Sequence, residues 1–106
     1  MAKYMIQGFY TPEGARGLLK EGGSGRKKAV EEMIGKFGGK VECFYYAFGK
    51  NDVVVIFDLP DNVTAASISF AVASAGAVKT QTTVLLTTEE MDQAVQKSVS
   101  YRAPGQ

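Results

Sequence analysis

The stretch KVECFYYAFGKNDVVVIFDL, residues 40–59, decides the fold. Its two halves, 40–48 and 52–59, are rich in β-branched and aromatic side chains, which favour strands. Gly49-Lys50-Asn51 between them is typical of a short turn, so the stretch predicts an antiparallel hairpin. Apolar side chains occupy both alternating sets of positions in the second strand. Both faces of the resulting sheet therefore need a cover.

Two kinds of element precede the hairpin. Residues 3–10, KYMIQGFY, alternate like a strand, and Gly8 permits close approach of another backbone. Thr11 and Pro12 predict a helix start, because threonine caps a helix and proline fits its first position. Apolar residues then recur at three-to-four spacing over 29–37, which predicts an amphipathic helix that ends at a glycine pair.

A helix and a strand follow the hairpin. The helix is predicted over 62–75, with Asp61 or Asn62 as its cap and Gly76 as its stop. The strand is predicted over 77–86, where threonines and valine dominate.

The chain ends in a further helical pattern. Thr88–Met91 resembles a capped helix start, and we expect its inner face to carry Met91, Ala94 and Val95. The order βαββαβ with a terminal helix predicts an α+β, ferredoxin-like fold: a four-stranded antiparallel sheet with its helices on one face. We treat residues 1–106 as one domain, with a core over about 3–97 and a frayed tail over 98–106.

Composition excludes several classes of function. The formal net charge is +1, which gives no field to attract nucleic acid or anionic lipid, so we expect neither nucleic acid nor membrane as a partner. The chain has no histidine and one cysteine, Cys43, so it cannot build a Ser-His or Cys-His pair, and we expect no metal and no cofactor. With no stretch that resembles a signal peptide or a membrane span, we expect a cytoplasmic protein.

The glycine-rich stretch KEGGSGRKK, residues 20–28, resembles a phosphate-binding loop only in composition. It lacks the G-x-x-x-x-G-K-[ST] spacing and does not follow a strand. The favoured interpretation is a helix interruption over 22–25, with Ser24 capping the second half and the three bases Arg26, Lys27 and Lys28 solvated.

Three segments together resemble the GYD-domain family of small bacterial and archaeal proteins: YTPEGARGLLKEGG, VECFYYAFGKNDVVVIFDLPDN and GAVKTQTTVLLT. The resemblance covers about residues 3–92. It implies a subunit of the dimeric α/β-barrel type and no established reaction. The namesake tyrosine of the family is replaced here, because Gly49-Lys50-Asn51-Asp52 stands where Gly-x-Tyr-Asp is expected.

An apolar sheet face without helices predicts a homo-oligomer through that face. Polar residues on the strands and in the hairpin are the candidate ligand contacts of the covered cavity, which would otherwise hold unpaired polar groups. Tyr46, alongside Glu42, is preferred over Tyr45 as the inward tyrosine, although the turn length decides between them. The candidates are Gln7, Tyr46, Gly49, Asp52, Gln81 and Thr83, with Lys79 at the edge.

The leading hypothesis is a small-molecule-binding module with a cavity between sheets or subunits. The first alternative is a cofactor-free enzyme of the dimeric α/β-barrel type, similar to monooxygenases or isomerases, with tyrosine or aspartate as acid or base. The second is an assembly subunit whose sheet is only an interface.

Overall fold

A computed structural model describes all residues from Met1 to Gln106. Four strands form one antiparallel sheet in the order β2-β3-β1-β4, which confirms the α+β, ferredoxin-like prediction. None of the helices has the length and apolar character needed to span a bilayer. The elements are β1 Ala2–Tyr10, α1 Pro12–Glu21, α2 Gly23–Gly35, β2 Lys40–Tyr46, β3 Val53–Leu59, α3 Asn62–Ala75, β4 Val78–Leu85 and α4 Thr88–Gln96.

Strand β1 lies in the middle of the sheet, and its register assigns side chains to the two faces. Tyr4 pairs with Phe57 of β3 and with Val84 of β4 on the face that the helices cover, the helix face. Gln7 pairs with Val54 and Gln81 on the opposite, open face. Strand β3 follows the same alternation, because its residues are in turn buried and half-buried along its whole length.

The hydrophobic core lies between the helix face and helices α2 and α3. The rings of Tyr4 and Phe57 stack with their centroids 6.1 Å apart. The Tyr4 hydroxyl donates a 2.6 Å hydrogen bond to Oδ1 of Asn62, so the buried phenol is satisfied at the start of α3. The buried core residues are Tyr4, Ile34, Val53, Val55, Phe57, Leu59, Ala65 and Ile68.

The predicted caps of α1 and α3 are confirmed. The Thr11 side chain accepts a hydrogen bond from the Gly14 N–H, and Asp61 does the same for Thr64. Gly76 ends α3 in the left-handed conformation, at φ 73°.

The predicted cap at Ser24 is wrong. Gly22 lies between α1 and α2, and its φ of 84° breaks the helical path there. No side chain caps α2, and Ser24 lies inside its first turn. The break is therefore made by backbone conformation and not by a serine hydroxyl.

The hairpin differs from its sequence prediction in two ways. Strand β2 ends at Tyr46, two residues early, and the Ala47 N–H donates a 2.7 Å hydrogen bond to the Asp52 carbonyl across a longer loop. A β-bulge also interrupts β2 between Val41 and Cys43, so Glu42 is unpaired. The bulge breaks the strict alternation on which the sequence prediction for Tyr46 relied.

Helix α4 stands apart from the rest of the chain. It has no buried residue, and Met91 and Val95 are 52% and 63% exposed, so the predicted inner face formed by Met91, Ala94 and Val95 covers nothing in its own chain. The molecule extends 55 Å along its longest axis, and its radius of gyration is 16.8 Å. A compact chain of this length has a radius of about 13 Å.

We expect Gly14→Ala to lower the free energy of unfolding by about 1–3 kcal/mol, because its Cβ would overlap the Ala77 carbonyl oxygen. That carbonyl also accepts the Thr11 N–H, so it cannot move freely. Gly17→Ala in the same helix is the control, because its Cβ meets no atom within 4 Å. Urea unfolding should show the control about 0.5–1 kcal/mol more stable than wild type. Equal effects of the two substitutions would contradict the close packing at Gly14.

Candidate functional site

An apolar cavity of about 90 Å³ lies between the helix face of the sheet and helices α2 and α3. One water needs about 10–15 Å³, so this inner cavity has room for several atoms but is far smaller than a pocket for a drug-sized ligand. Its lining is formed by Ile6, Tyr10, Arg26, Val30, Met33, Ile34, Phe44, Val53, Val55, Phe57, Ile68, Val72, Val78 and Thr80.

An open cleft of about 400 Å³ lies at the end of the sheet against α1. This outer cleft is lined by Tyr10, Ala15, Leu18, Leu19, Tyr46, Ala47 and Asp52. Tyr10 lines both the inner cavity and the outer cleft, so the two spaces meet at its side chain. The candidate site is therefore a small apolar chamber beside a wider, open cleft.

The two tyrosines of this site are protonated near neutral pH. Burial raises the pKa of Tyr10 to about 12, and the neighbouring Tyr46 adds to the rise while Arg26 opposes it. Burial also raises the pKa of Tyr46, again against the effect of Arg26. Both phenols are therefore hydrogen-bond donors and not bases under ordinary conditions.

Arg26 brings a positive charge to the inner cavity. It lies in the first turns of α2, lines the cavity beside Tyr10, and its side chain is 42% exposed. Its nearest carboxylate is Glu21, at 4.0 Å between Nη1 and Oε1, the outer limit of an ion pair. The predicted solvation of Arg26 therefore holds in part, because its side chain also lines the cavity, whereas Lys27 and Lys28 are exposed as expected.

Tyr46 and Asp52 reach the outer cleft by different routes. Tyr46 lies on the helix face opposite Val53, and its hydroxyl donates a 3.0 Å hydrogen bond to the Gly23 carbonyl at the α1–α2 break. The Asp52 carboxylate accepts the Tyr10 N–H at 2.9 Å, and the Asp52 N–H donates to the Gly8 carbonyl at 2.7 Å. Asp52 thus fastens the hairpin to β1 while it forms part of the cleft wall.

Three other predicted site residues lie together on the open face. Gln7 of β1 pairs directly with Gln81 of β4, and Thr83 pairs with Met5 two positions away. The tyrosine beside them is Tyr45, which pairs with Val54 next to Gln7, and not Tyr46. The predicted set is therefore divided between the two faces of the sheet.

Glu42 also separates from Tyr46, because the bulge between them shifts the alternation and leaves Glu42 on the open face. There Lys3 Nζ lies 3.0 Å from both Glu42 Oε2 and Asp58 Oδ1. These hydrogen bonds, first that to Glu42, raise the pKa of Lys3. Lys79 pairs with Phe9 at another corner of the open face.

Gly49 lies in the exposed hairpin loop, apart from the residues of the outer cleft and from the polar residues of the open face. Its φ is not positive, and a Cβ built on it meets no atom within 4 Å, so the loop does not require glycine there. Cys43 is a free, half-buried thiol opposite Ile56 on the open face. No group of three histidine, cysteine, aspartate or glutamate side chains lies together in a way that suits a metal ion.

Tyr10 and Arg26 are the site residues that sequence reasoning missed. Arg26 is four residues before Val30 and seven before Met33, which places it on the apolar side of α2. That spacing was a readable signal, but the adjacent lysines made the arginine look like part of a solvated run. For Tyr10, nothing in the local pattern separates a cavity-lining tyrosine from an ordinary strand residue.

A model of the GYD domain matches residues 4–95. The chain belongs to the GYD domain family. Neither a curated protein nor a solved structure matches it. In this GYD domain, Asn51 lies in the hairpin loop, next to the aspartate that binds β1.

Tyr10 makes the alkaline stability of this GYD domain testable. Its phenol has a pKa of 10.0 when unperturbed and about 12 in the fold, so between these values the unfolded chain releases a proton that the folded chain keeps. The contribution of the protonated Tyr10 phenol to the free energy of unfolding is complete below pH 10 and is lost as the pH rises toward 12. We expect this fall, measured by urea unfolding, to be smaller in Tyr10→Phe than in wild type.

Tyr101→Phe is the matched control for that measurement, since Tyr101 is 76% exposed. It should keep the alkaline loss of the wild type. An identical pH dependence for Tyr10→Phe and wild type would refute the burial of the Tyr10 phenol.

Proposed function

We propose that this protein is a cytoplasmic binding protein for a small molecule with a short apolar body and an anionic end. The observation that carries the proposal is the apolar cavity that Arg26 and the protonated Tyr10 border. The free thiol of Cys43 suits a reducing compartment.

The mostly apolar lining of the inner cavity, which also includes Arg26, supports this ligand chemistry. Each methylene that enters the inner cavity contributes about 0.8 kcal/mol by leaving water. An anionic end can receive charge-assisted hydrogen bonds from Arg26 and a neutral one from Tyr10. Because the cavity measures only about 90 Å³, the body that fits is a few carbon atoms long.

The site favours binding over proton transfer. A general base needs a pKa near the working pH, and the pKa of Tyr10 lies at about 12. Asp52, the carboxylate of the outer cleft, already accepts the Tyr10 N–H at 2.9 Å. The alternative of an enzyme that uses tyrosine or aspartate as its base therefore has less support than ligand capture.

Butyrate and 1-butanol are suitable probes, because they share an apolar body and differ in charge. We expect butyrate to shift the backbone NMR resonances of cavity residues. The substitution Arg26→Gln should weaken butyrate binding by about tenfold, because a charged hydrogen bond is lost. The same substitution should leave 1-butanol binding nearly unchanged. Lys27→Gln removes a neighbouring exposed charge and is the control.

A second variant tests the place of binding. Val72→Phe fills the inner cavity from α3 and should abolish the shifts from both probes, with its fold checked by urea unfolding. Equal losses of butyrate affinity in Arg26→Gln and Lys27→Gln would mean that general surface charge, and not the cavity arginine, attracts butyrate. Probe binding that survives Val72→Phe would exclude the inner cavity.

A second proposal concerns the open face, through which we infer that the protein forms a homo-oligomer. The supporting observation is the apolar character of a face that no helix covers. Its apolar and aromatic side chains are Met5, Phe9, Cys43, Tyr45, Val54, Ile56 and Leu85. The polar residues Gln7, Gln81 and Thr83 then lie at the interface, where a partner or trapped water satisfies them.

Val54→Glu places a charge at the centre of this face and should raise the dissociation constant of the oligomer by about tenfold or more. Val63→Glu adds the same charge on the exposed surface of α3, where valine is 79% exposed, and is the control. Sedimentation velocity over a dilution series measures both. Assembly that tolerates Val54→Glu as well as Val63→Glu would move the interface elsewhere.

A further inference from the structure

The segment after β4 carries apolar side chains that nothing in its own chain covers. We call residues 86–102 the C-terminal arm; it contains α4 and the residues on either side of it. Its exposed apolar residues are Leu86, Met91, Val95, Val99 and Tyr101, each at least half exposed. Single exposed apolar residues are ordinary on a protein surface, but a run of five on one protruding segment is not.

Helix α4 is well formed locally but too short to stand alone. Thr87 and Glu90 make a complete capping box, with hydrogen bonds of 3.1 Å and 2.9 Å. Yet α4 has only nine residues, and isolated helices shorter than about 12–15 residues are marginal in water. Met91 and Val95 stand four residues apart and form one apolar stripe. A short, capped helix with such a stripe needs a surface to pack against.

The arm begins at the rim of the open face. Leu85, the last residue of β4, pairs with Lys3 on that face, and α4 starts three residues later. A partner seated on the open face therefore lies directly beside the start of the arm. The arm and the open face can cover the same neighbouring molecule without any change in the strands.

The size of the open face gives a reason for the arm. Four strands spaced about 4.8 Å apart, with about seven residues at 3.4 Å each, make a face of roughly 19 by 24 Å, or about 450 Å². A stable interface buries about 800 Å² on each partner. The flat outline of the sheet is smaller than this accessible area, and the exposed arm supplies additional apolar surface.

We propose that the C-terminal arm packs on a second copy of this chain, so that each copy clasps the other beyond the sheet contact. This inference rests on the proposed self-association through the open face. The arm has its apolar stripe toward the partner, and α4 becomes a stable helix only in the assembled state.

Hydrogen exchange at two protein concentrations tests the state dependence. We expect the amides of α4 to be protected where the protein is assembled and to exchange freely after dilution to the monomer. Protection that persists in the monomer would mean that the arm folds onto its own chain. Absence of protection at the α4 amides in the assembled protein would mean that the arm does not pack on the partner copy. Either result overturns the proposal.

Two double variants test the stripe itself. Met91→Glu with Val95→Glu adds two charges to the apolar side of α4 and should raise the dissociation constant by about tenfold or more. Gln93→Glu with Gln96→Glu adds the same charge to the opposite side and should leave assembly nearly unchanged. Sedimentation velocity measures both pairs against wild type.

The variants also separate this proposal from the one on which it rests. If Val54→Glu dissociates the protein and Met91→Glu with Val95→Glu does not, the open face is the interface and the arm is not part of it. If the wild-type protein is monomeric at every concentration, both proposals fail. Weakening by Met91→Glu with Val95→Glu, but not by the matched control, supports the clasp.

Discussion

The register of β1 between β3 and β4 is the constraint on which the remaining structure depends. Because side chains alternate along a strand, a slip of one residue would exchange Tyr4 and Gln7 between the faces and expose the core. In the observed register, the even positions of β1 meet the helices and the odd positions form the open face. The inner cavity, the outer cleft and the apolar open face all follow from this assignment.

Two local breaks in regularity shape the candidate site. The β-bulge at Glu42 puts that residue on the open face beside Lys3 while Tyr46 stays on the helix face. The break at Gly22 lets α2 start afresh, and Tyr46 donates its hydroxyl to the Gly23 carbonyl at that point. The kink between the two helices thus meets Tyr46 at the outer cleft, whereas the bulge lies further along β2 and decides the face on which Tyr46 lies.

The two faces of the sheet suggest separate tasks. The helix face holds a small apolar chamber with a positive charge and protonated phenols at its edge, a combination that suits capture of a short anionic molecule. The open face has apolar side chains and no cover within the chain, as does the arm that leaves from its rim. The proposed ligand site and the proposed assembly surface therefore use different residues.

The sequence by itself determined the elements, their order and most of their ends. Local chemistry was sufficient there, because Thr11, Asp61 and Gly76 act on their own backbone within a few residues. It also placed Gln7, Gln81 and Thr83 on a common face, since alternation in regular strands is a local property. The family assignment followed from the same linear order of motifs.

Only the tertiary structure decided which residues form the site. The faces of Tyr45 and Tyr46 depend on a bulge and a loop length that arise from pairing with β3, and no local pattern specifies them. Arg26 became a cavity residue because the break at Gly22 turns its side of α2 toward the sheet. The uncovered state of α4 is likewise a tertiary fact, since an apolar stripe in a sequence does not say which surface it will meet.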